Sequence, residues 1–130
     1  EFGLRSYVYT SLYATIASIL SIIPGLTKPM VFYGVRACNA TFCAGCEYLF
    51  SKMIVSMWGQ ATAALYLWLS IVLPGMFQAS PAVLPSQFFM CCFMLANYLH
   101  FKQHDFACII VSLFGALATA WPFASAIYLV

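Results

Sequence analysis

The stretch "PSQFFMCCFMLANYLHFKQHDFACIIVSLFGALATAWPFASAIY", Pro85–Tyr128, contains two long apolar segments separated by the four residues KQHD. The first segment, 85–101, opens on proline, which is favoured at the first position of a helix. The second, 106–128, is preceded by Asp105, a residue type that caps helix N-termini. Because so few residues separate them, the two segments predict a tight antiparallel helical hairpin.

Two further apolar segments precede this hairpin, at 7–23 and 50–73, and each is followed by a Pro-Gly pair that ends a helix. A helix of about 20 mainly apolar residues crosses a bilayer, and all four segments approach that length. Pro122 should kink the last helix near Thr119. The sequence therefore predicts an all-α integral membrane protein with four transmembrane helices in a single domain over residues 1–130, the third and fourth forming the hairpin.

The composition supports a membrane protein, because 65% of the residues are hydrophobic and 6% are charged. So few charges could not keep so apolar a surface in solution. The net charge of +2 is small and scattered, which excludes a nucleic-acid partner. Membrane lipids are the expected surroundings.

The basic residues predict the orientation of the chain. Four crossings place the loop 24–49 and the hairpin turn on one side, and both termini on the other. Basic residues are unevenly divided between these two sides, with Lys28, Arg36, Lys52 and Lys102 on the loop side against Arg5 on the terminal side. The positive-inside rule then places both termini opposite the matrix or stroma. The first residue is Glu rather than Met, so we expect a processed or truncated chain of the mitochondrial inner membrane or the plastid thylakoid.

Small residues recur at spacings of three and four along three of the predicted helices, which brings them onto one face of each helix. Such faces allow close helix contact in membranes. The residues are Ser11, Ala14, Ser18, Ser21 and Gly25 in the first helix, Ser56, Gly59, Ala63 and Ser70 in the second, and Cys108, Ser112, Gly115 and Thr119 in the fourth.

Three cysteines lie close together in "ACNATFCAGCEYLF", Ala37–Phe50. Cys38, Cys43 and Cys46 could form a tetrahedral zinc site with His104. Alternatively, Cys43 and Cys46 form a C-x-x-C pair able to exchange disulfides. The interpretation we favour is an interfacial turn and the start of the second helix, with the cysteines packed as small apolar groups.

The glycosylation-type triplet Asn39-Ala40-Thr41 has little specificity, and the charge bias opposes a lumenal loop. We therefore interpret Asn39 as a turn or helix-capping residue.

Four polar side chains in or near the helices are candidate cofactor contacts. Gln60 and Asn97 need partners in hydrocarbon, either on a neighbouring helix or on a lipid or pigment. His100 and His104 could contact pigment or haem through one axial position, although hydrogen bonds at the interface are the favoured interpretation. No cofactor is required, and a bound lipid, chlorophyll or carotenoid is compatible with the sequence.

The predicted function is structural. The sequence shows no membrane-centred charge, no nucleophile with a base and no phosphate-binding loop, so no enzyme is predicted. We expect an accessory subunit that stabilises a larger energy-transducing complex, of respiratory, ATP synthase or photosystem type, with larger membrane subunits as partners. One alternative is a small thiol-redox or metal-binding protein that uses Cys43/Cys46 and His100/His104. Another is a small oligomeric transporter.

Overall fold

The computed structural model describes residues 7–23, 25 and 27–119 of the 130-residue chain. These residues form six α-helices and no strand. The helices are α1 Tyr7–Ser21, α2 Lys28–Trp58, α3 Gln60–Val72, α4 Pro74–Ala79, α5 Pro85–Phe101 and α6 Asp105–Thr119. The all-helical part of the prediction is confirmed.

The helical hairpin is also confirmed, with α5 and α6 packed against each other along their length. Their turn is closed by Gln103, which has a φ of 62°, and by a 2.9 Å hydrogen bond from the Gln103 N–H to the His100 carbonyl. Asp105 is the first residue of α6 rather than a residue preceding it, and its carboxylate lies 3.0 Å from His100 Nδ1. The kink predicted at Pro122 falls outside the described residues.

The predicted loop 24–49 is wrong, because α2 begins at Lys28 and continues without interruption to Trp58. Pro29 occupies the first turn, where a missing N–H removes no helical hydrogen bond. No further proline follows before Gly59, and the polar residues that suggested a loop are compatible with a helix interior.

The predicted second helix, 50–73, is instead divided at Gly59. This glycine has φ 88° and ψ 170°, a backbone conformation that is essentially restricted to glycine, and its N–H donates to the Val55 carbonyl at 3.1 Å. The rings of Phe50 and Tyr66, which lie on opposite sides of this break in the sequence, are 5.6 Å apart. Helix α3 therefore folds back along α2.

Helix α2 is the centre of the arrangement, since it packs against α1, α3 and α5. Helix α1 also contacts α6. Two buried clusters result, one formed by Tyr9, Phe88, Cys92 and Ala118, and the other by Cys43, Cys46, Cys91 and Met94.

The small-residue faces differ in burial from helix to helix. On α6, Ser112, Gly115 and Thr119 are buried as expected. On α3, Ala63 is buried, whereas Ser56 at the end of α2 is exposed.

The small residues predicted to pack on α1 are exposed, and Tyr9 is buried instead. The hydroxyls of Ser11, Ser18 and Ser21 donate to carbonyls of their own helix, so they need no neighbouring helix.

Large apolar side chains remain exposed on several helices, including Ile71 on α3 at 74% and Phe106 on α6 at 79%. In the part of the chain that the structure describes, no helix combines the length and the hydropathy that a membrane crossing requires.

Candidate functional site

A half-open groove of about 420 Å³ lies between α1, α2, α5 and α6. We call it the apolar groove. Its lining consists of Leu12, Tyr13 and Ile16 from α1, Cys38, Asn39 and Phe42 from α2, Phe88, Cys92 and Leu95 from α5, and Val111 and Phe114 from α6.

Aromatic contacts around Phe88 shape one wall of the apolar groove. The Phe88 ring lies 6.0 Å from the ring of Tyr9, 6.1 Å from that of Phe42 and 6.0 Å from that of Phe114. Contacts at this distance between differently inclined rings are favourable. Because the four rings come from four helices, Phe88 fixes the spacing of those helices around the groove.

Asn39 is the polar centre of the same region. Its Oδ1 accepts a 2.8 Å hydrogen bond from the Tyr13 hydroxyl, and its Nδ2 donates to the carbonyls of Ser80 at 3.1 Å and Ala82 at 2.8 Å. The residue is 6% exposed and lies within α2. The interpretation of Asn39 as a turn or capping residue is therefore wrong, because its amide links α1, α2 and the segment before α5.

The groove is suited to binding an apolar ligand rather than to acid or base catalysis. None of its described lining residues is charged, and the polar groups among them are the Tyr13 hydroxyl, the Asn39 amide and the thiols of Cys38 and Cys92. Pockets lined mainly by apolar side chains with a few polar groups accommodate apolar ligands and orient them.

A second polar cluster lies between α2 and α5. Cys43, Cys46 and Cys91 are each at most 3% exposed. The buried Gln87 amide donates to Cys43 Sγ at 2.9 Å and points towards Cys91 Sγ at 3.9 Å, while the Cys43 thiol donates to Glu47 Oε1 at 3.6 Å.

Gln87 and Cys91 are not among the site residues predicted from the sequence, although they contact Cys43 in this cluster. Their spacing of four residues on one helix face was the available signal.

The predicted zinc ligands are not brought together. Cys43 and Cys46 are buried beside α5, whereas Cys38 and His104 are exposed. Within the described residues, no group of three or more His, Cys, Asp or Glu side chains is placed to hold a metal ion. The zinc site stays a prediction without support from this geometry.

None of the four candidate cofactor residues lines the apolar groove. Gln60 is exposed at the start of α3, and Asn97 is half-buried and donates to the Phe93 carbonyl of its own helix at 2.7 Å. His100 pairs with Asp105, and its side chain is 74% exposed, while His104 is exposed in the turn. Pigment, haem or lipid contacts at these residues stay predictions.

The fold and the groove define an all-helical, strongly apolar protein with an uncharged groove between four of its helices. All 130 residues of the chain match the Alg9-like mannosyltransferase family, and the chain belongs to that family.

Three curated relatives illustrate the similarity. The chain is 30% identical to human alpha-1,2-mannosyltransferase ALG9 over 126 residues, which is 97% of this chain and 20% of the relative. It is 32% identical to Caenorhabditis elegans alpha-1,2-mannosyltransferase algn-9 over 126 residues, 95% of this chain and 20% of the relative. It is 32% identical to Drosophila melanogaster alpha-1,2-mannosyltransferase Alg9 over 129 residues, 98% of this chain and 20% of the relative. The chain thus spans about a fifth of the length of these relatives. No solved structure matches the chain.

Family membership overturns the functional predictions. The expected accessory subunit of an energy-transducing complex is wrong, as are the redox-protein and transporter alternatives, because the relatives are mannosyltransferases. The expectation that the protein is not an enzyme is wrong for the same reason. The location in the mitochondrial inner membrane or thylakoid, expected from the missing initiator Met, is contradicted by membership of the mannosyltransferase family. The predicted larger partner subunits are likewise unsupported.

Proposed function

We propose that the protein is an enzyme of the endoplasmic reticulum membrane that transfers mannose in α-1,2 linkage. The match of all 130 residues to the Alg9-like mannosyltransferase family carries this proposal. Its relatives in human, worm and fly are each named as alpha-1,2-mannosyltransferases. The proposed acceptor is a lipid-linked oligosaccharide, so membrane lipid is part of the enzyme's surroundings and of its substrate.

The present chain forms part of the membrane-embedded body of that enzyme. Its hydrophobic fraction of 65% and the exposed apolar side chains of α3 and α6 support this. Large apolar surfaces are stable when they face lipid or another part of a protein. The four transmembrane segments predicted from the sequence belong to this proposal.

The apolar groove holds hydrocarbon of the lipid-linked acceptor. Its half-open form and its uncharged lining suit a flexible apolar chain, and its volume of about 420 Å³ accommodates only part of a long one. The hydrogen bond between Tyr13 and Asn39 holds α1 and α2, which form two walls of the groove, together. These residues bind and position the acceptor, and they supply no acid or base to the reaction.

The test uses the full-length protein, purified in detergent and returned to lipid vesicles. Labelled mannose is offered both as a sugar nucleotide and as a polyprenyl-phosphate conjugate, with a lipid-linked oligosaccharide as acceptor. The proposal expects labelled mannose in the oligosaccharide from one of these donors. Folded protein that transfers mannose from neither donor would overturn it.

A further inference from the structure

Two thiols from different helices meet one amide in the interior. Cys43 of α2 and Cys91 of α5 are each 1% exposed, which makes them the largest side chains that are fully buried among the described residues. Gln87 Nε2 lies 2.9 Å from Cys43 Sγ and 3.9 Å from Cys91 Sγ. Both cysteines are free in the structure. A single buried amide therefore lies within reach of two sulfurs from the two sides of the α2–α5 interface.

We propose that Cys43 and Cys91 are a disulfide-forming pair that links α2 covalently to α5 when the protein is exposed to a hydroperoxide. The proposal concerns a cross-link within the fold and involves no transfer of electrons to another protein. It does not depend on the mannosyltransferase activity, because it rests on the geometry of the α2–α5 interface alone.

Cys43 is the sulfur best placed to react first. The thiolate is the nucleophilic form of cysteine, and hydrogen-bond donors stabilise it. Cys43 Sγ receives the Gln87 amide hydrogen, and a hydrogen bond from the Cys91 thiol lowers the pKa of Cys43. The Glu47 carboxylate, 3.6 Å from Cys43 Sγ, opposes the thiolate electrostatically but can accept its proton. Cys91 supplies the second thiol.

The reaction balances with a hydroperoxide as the oxidant. The Cys43 thiolate attacks the terminal peroxide oxygen and becomes a sulfenic acid, and the O–O bond breaks with release of an alcohol or water after protonation. The Cys91 sulfur attacks the Cys43 sulfur, the S–O bond breaks, and the hydroxide leaves as water with the proton of Cys91. Two thiols lose two electrons and two protons to one peroxide.

Cys46 also lies within hydrogen-bond reach of Cys91, but the Gln87 amide donates to Cys43. Cys46 lies on the same helix as Cys43, three residues later, so a bond between these two would not join α2 to α5 and would have to form within one turn of an unbroken helix. Cys92 belongs to the other buried cluster and packs under Gly115 of α6. Cys91 is thus the partner that shares the Gln87 amide with Cys43.

The test is peptide mapping of the full-length protein after treatment with hydrogen peroxide under native conditions and blocking of the remaining thiols. The expected result is loss of two thiols per chain and one cross-linked peptide pair joining Cys43 to Cys91, which dithiothreitol separates. Cys43→Ala and Cys91→Ala should each abolish this pair. The matched controls Cys46→Ala and Cys108→Ala should retain it at close to the wild-type yield.

The wild-type map decides the question even if a variant fails to fold. A dominant link from Cys91 to Cys46, a link between Cys43 and Cys46, or oxidation to sulfinic acid with no cross-link would each overturn the proposal. A Cys43–Cys91 link that forms only after denaturation would also overturn it, because the folded geometry would then not be its cause. A tenfold slower formation in Gln87→Leu would support the part assigned to the amide, and an unchanged rate would contradict it.

Discussion

The hydroxyl of Tyr13 donates a 2.8 Å hydrogen bond to Oδ1 of Asn39, which joins α1 to α2 at the apolar groove. The other end of the Asn39 amide binds the carbonyls of Ser80 and Ala82 before α5. One buried side chain thereby positions three segments that lie far apart in the sequence. Its loss should affect the stability of the fold and the shape of the groove together.

Asn39→Leu should lower the free energy of unfolding by about 2–4 kcal/mol, because it removes three hydrogen bonds in a buried position. Tyr13→Phe, which removes one of them, should lower it by about 1 kcal/mol. Thermal or denaturant unfolding of the full-length protein in detergent measures both effects. The matched control is Thr41→Ala, an exposed residue on the same helix, for which almost no change is expected. Equal effects of Asn39→Leu and Thr41→Ala would contradict the assigned role.

Asn39 should carry no glycan, although Asn39-Ala40-Thr41 has the acceptor pattern. Both hydrogens of its amide nitrogen are engaged, and the side chain is buried. Peptide mapping of the protein from a eukaryotic host, before and after glycosidase treatment, should show unmodified Asn39. A glycan on this residue would show that α2 does not pack as described.

Gly115→Ala should destabilise the α5–α6 hairpin by about 1–3 kcal/mol, since overpacking forces neighbours to move. A Cβ at this position would lie 2.9 Å from Cys92 Cβ, which cannot move without the α5 backbone. The control is Gly45→Ala on α2, where a Cβ meets nothing within 4 Å. That substitution should stabilise the helix by up to about 1 kcal/mol. Unfolding midpoints that shift in the same direction for both variants would contradict this packing.

Val111→Phe should weaken binding of the lipid-linked acceptor, because the larger ring fills part of the apolar groove. The rate of the chemical step should not change. A loss of about 1 kcal/mol in binding corresponds to roughly a fivefold higher KM, with kcat little changed. An acceptor with the same sugars and a short lipid should be less affected. Ile110→Phe, on the neighbouring exposed position of α6, is the control and should leave KM unaltered. If the two variants had equal KM values with both acceptors, the groove would not be part of the substrate-binding site.

Local patterns predicted some elements well. The segment 85–101 coincides with α5, and the four residues after it form the turn and the first residue of α6, because proline and a short polar connection are strong local signals. Gly59 was the opposite case. A glycine within an apolar run is compatible with a continuous helix, and only the packing of Phe50 on Tyr66 selects the fold-back.

The candidate site was harder to predict than the helices. Polar residues and cysteines surround Asn39, a pattern typical of a loop, and its partners at Tyr13, Ser80 and Ala82 are distant in the sequence. The groove depends on four helices at once, so no local pattern contains it. Family membership is carried by similarity along the whole chain rather than by a short motif of catalytic residues. An apolar composition alone could not separate a mannosyltransferase from other membrane proteins.

The most direct test of the central claim is the linkage of mannose added by the full-length protein. Labelled oligosaccharide from the vesicle reaction is released from its lipid and digested with a mannosidase specific for α-1,2 bonds. We expect the α-1,2-specific mannosidase to release the label as free mannose. Label that resists the α-1,2-specific enzyme but yields to a mannosidase of another specificity, or a folded protein that adds no mannose, would contradict it.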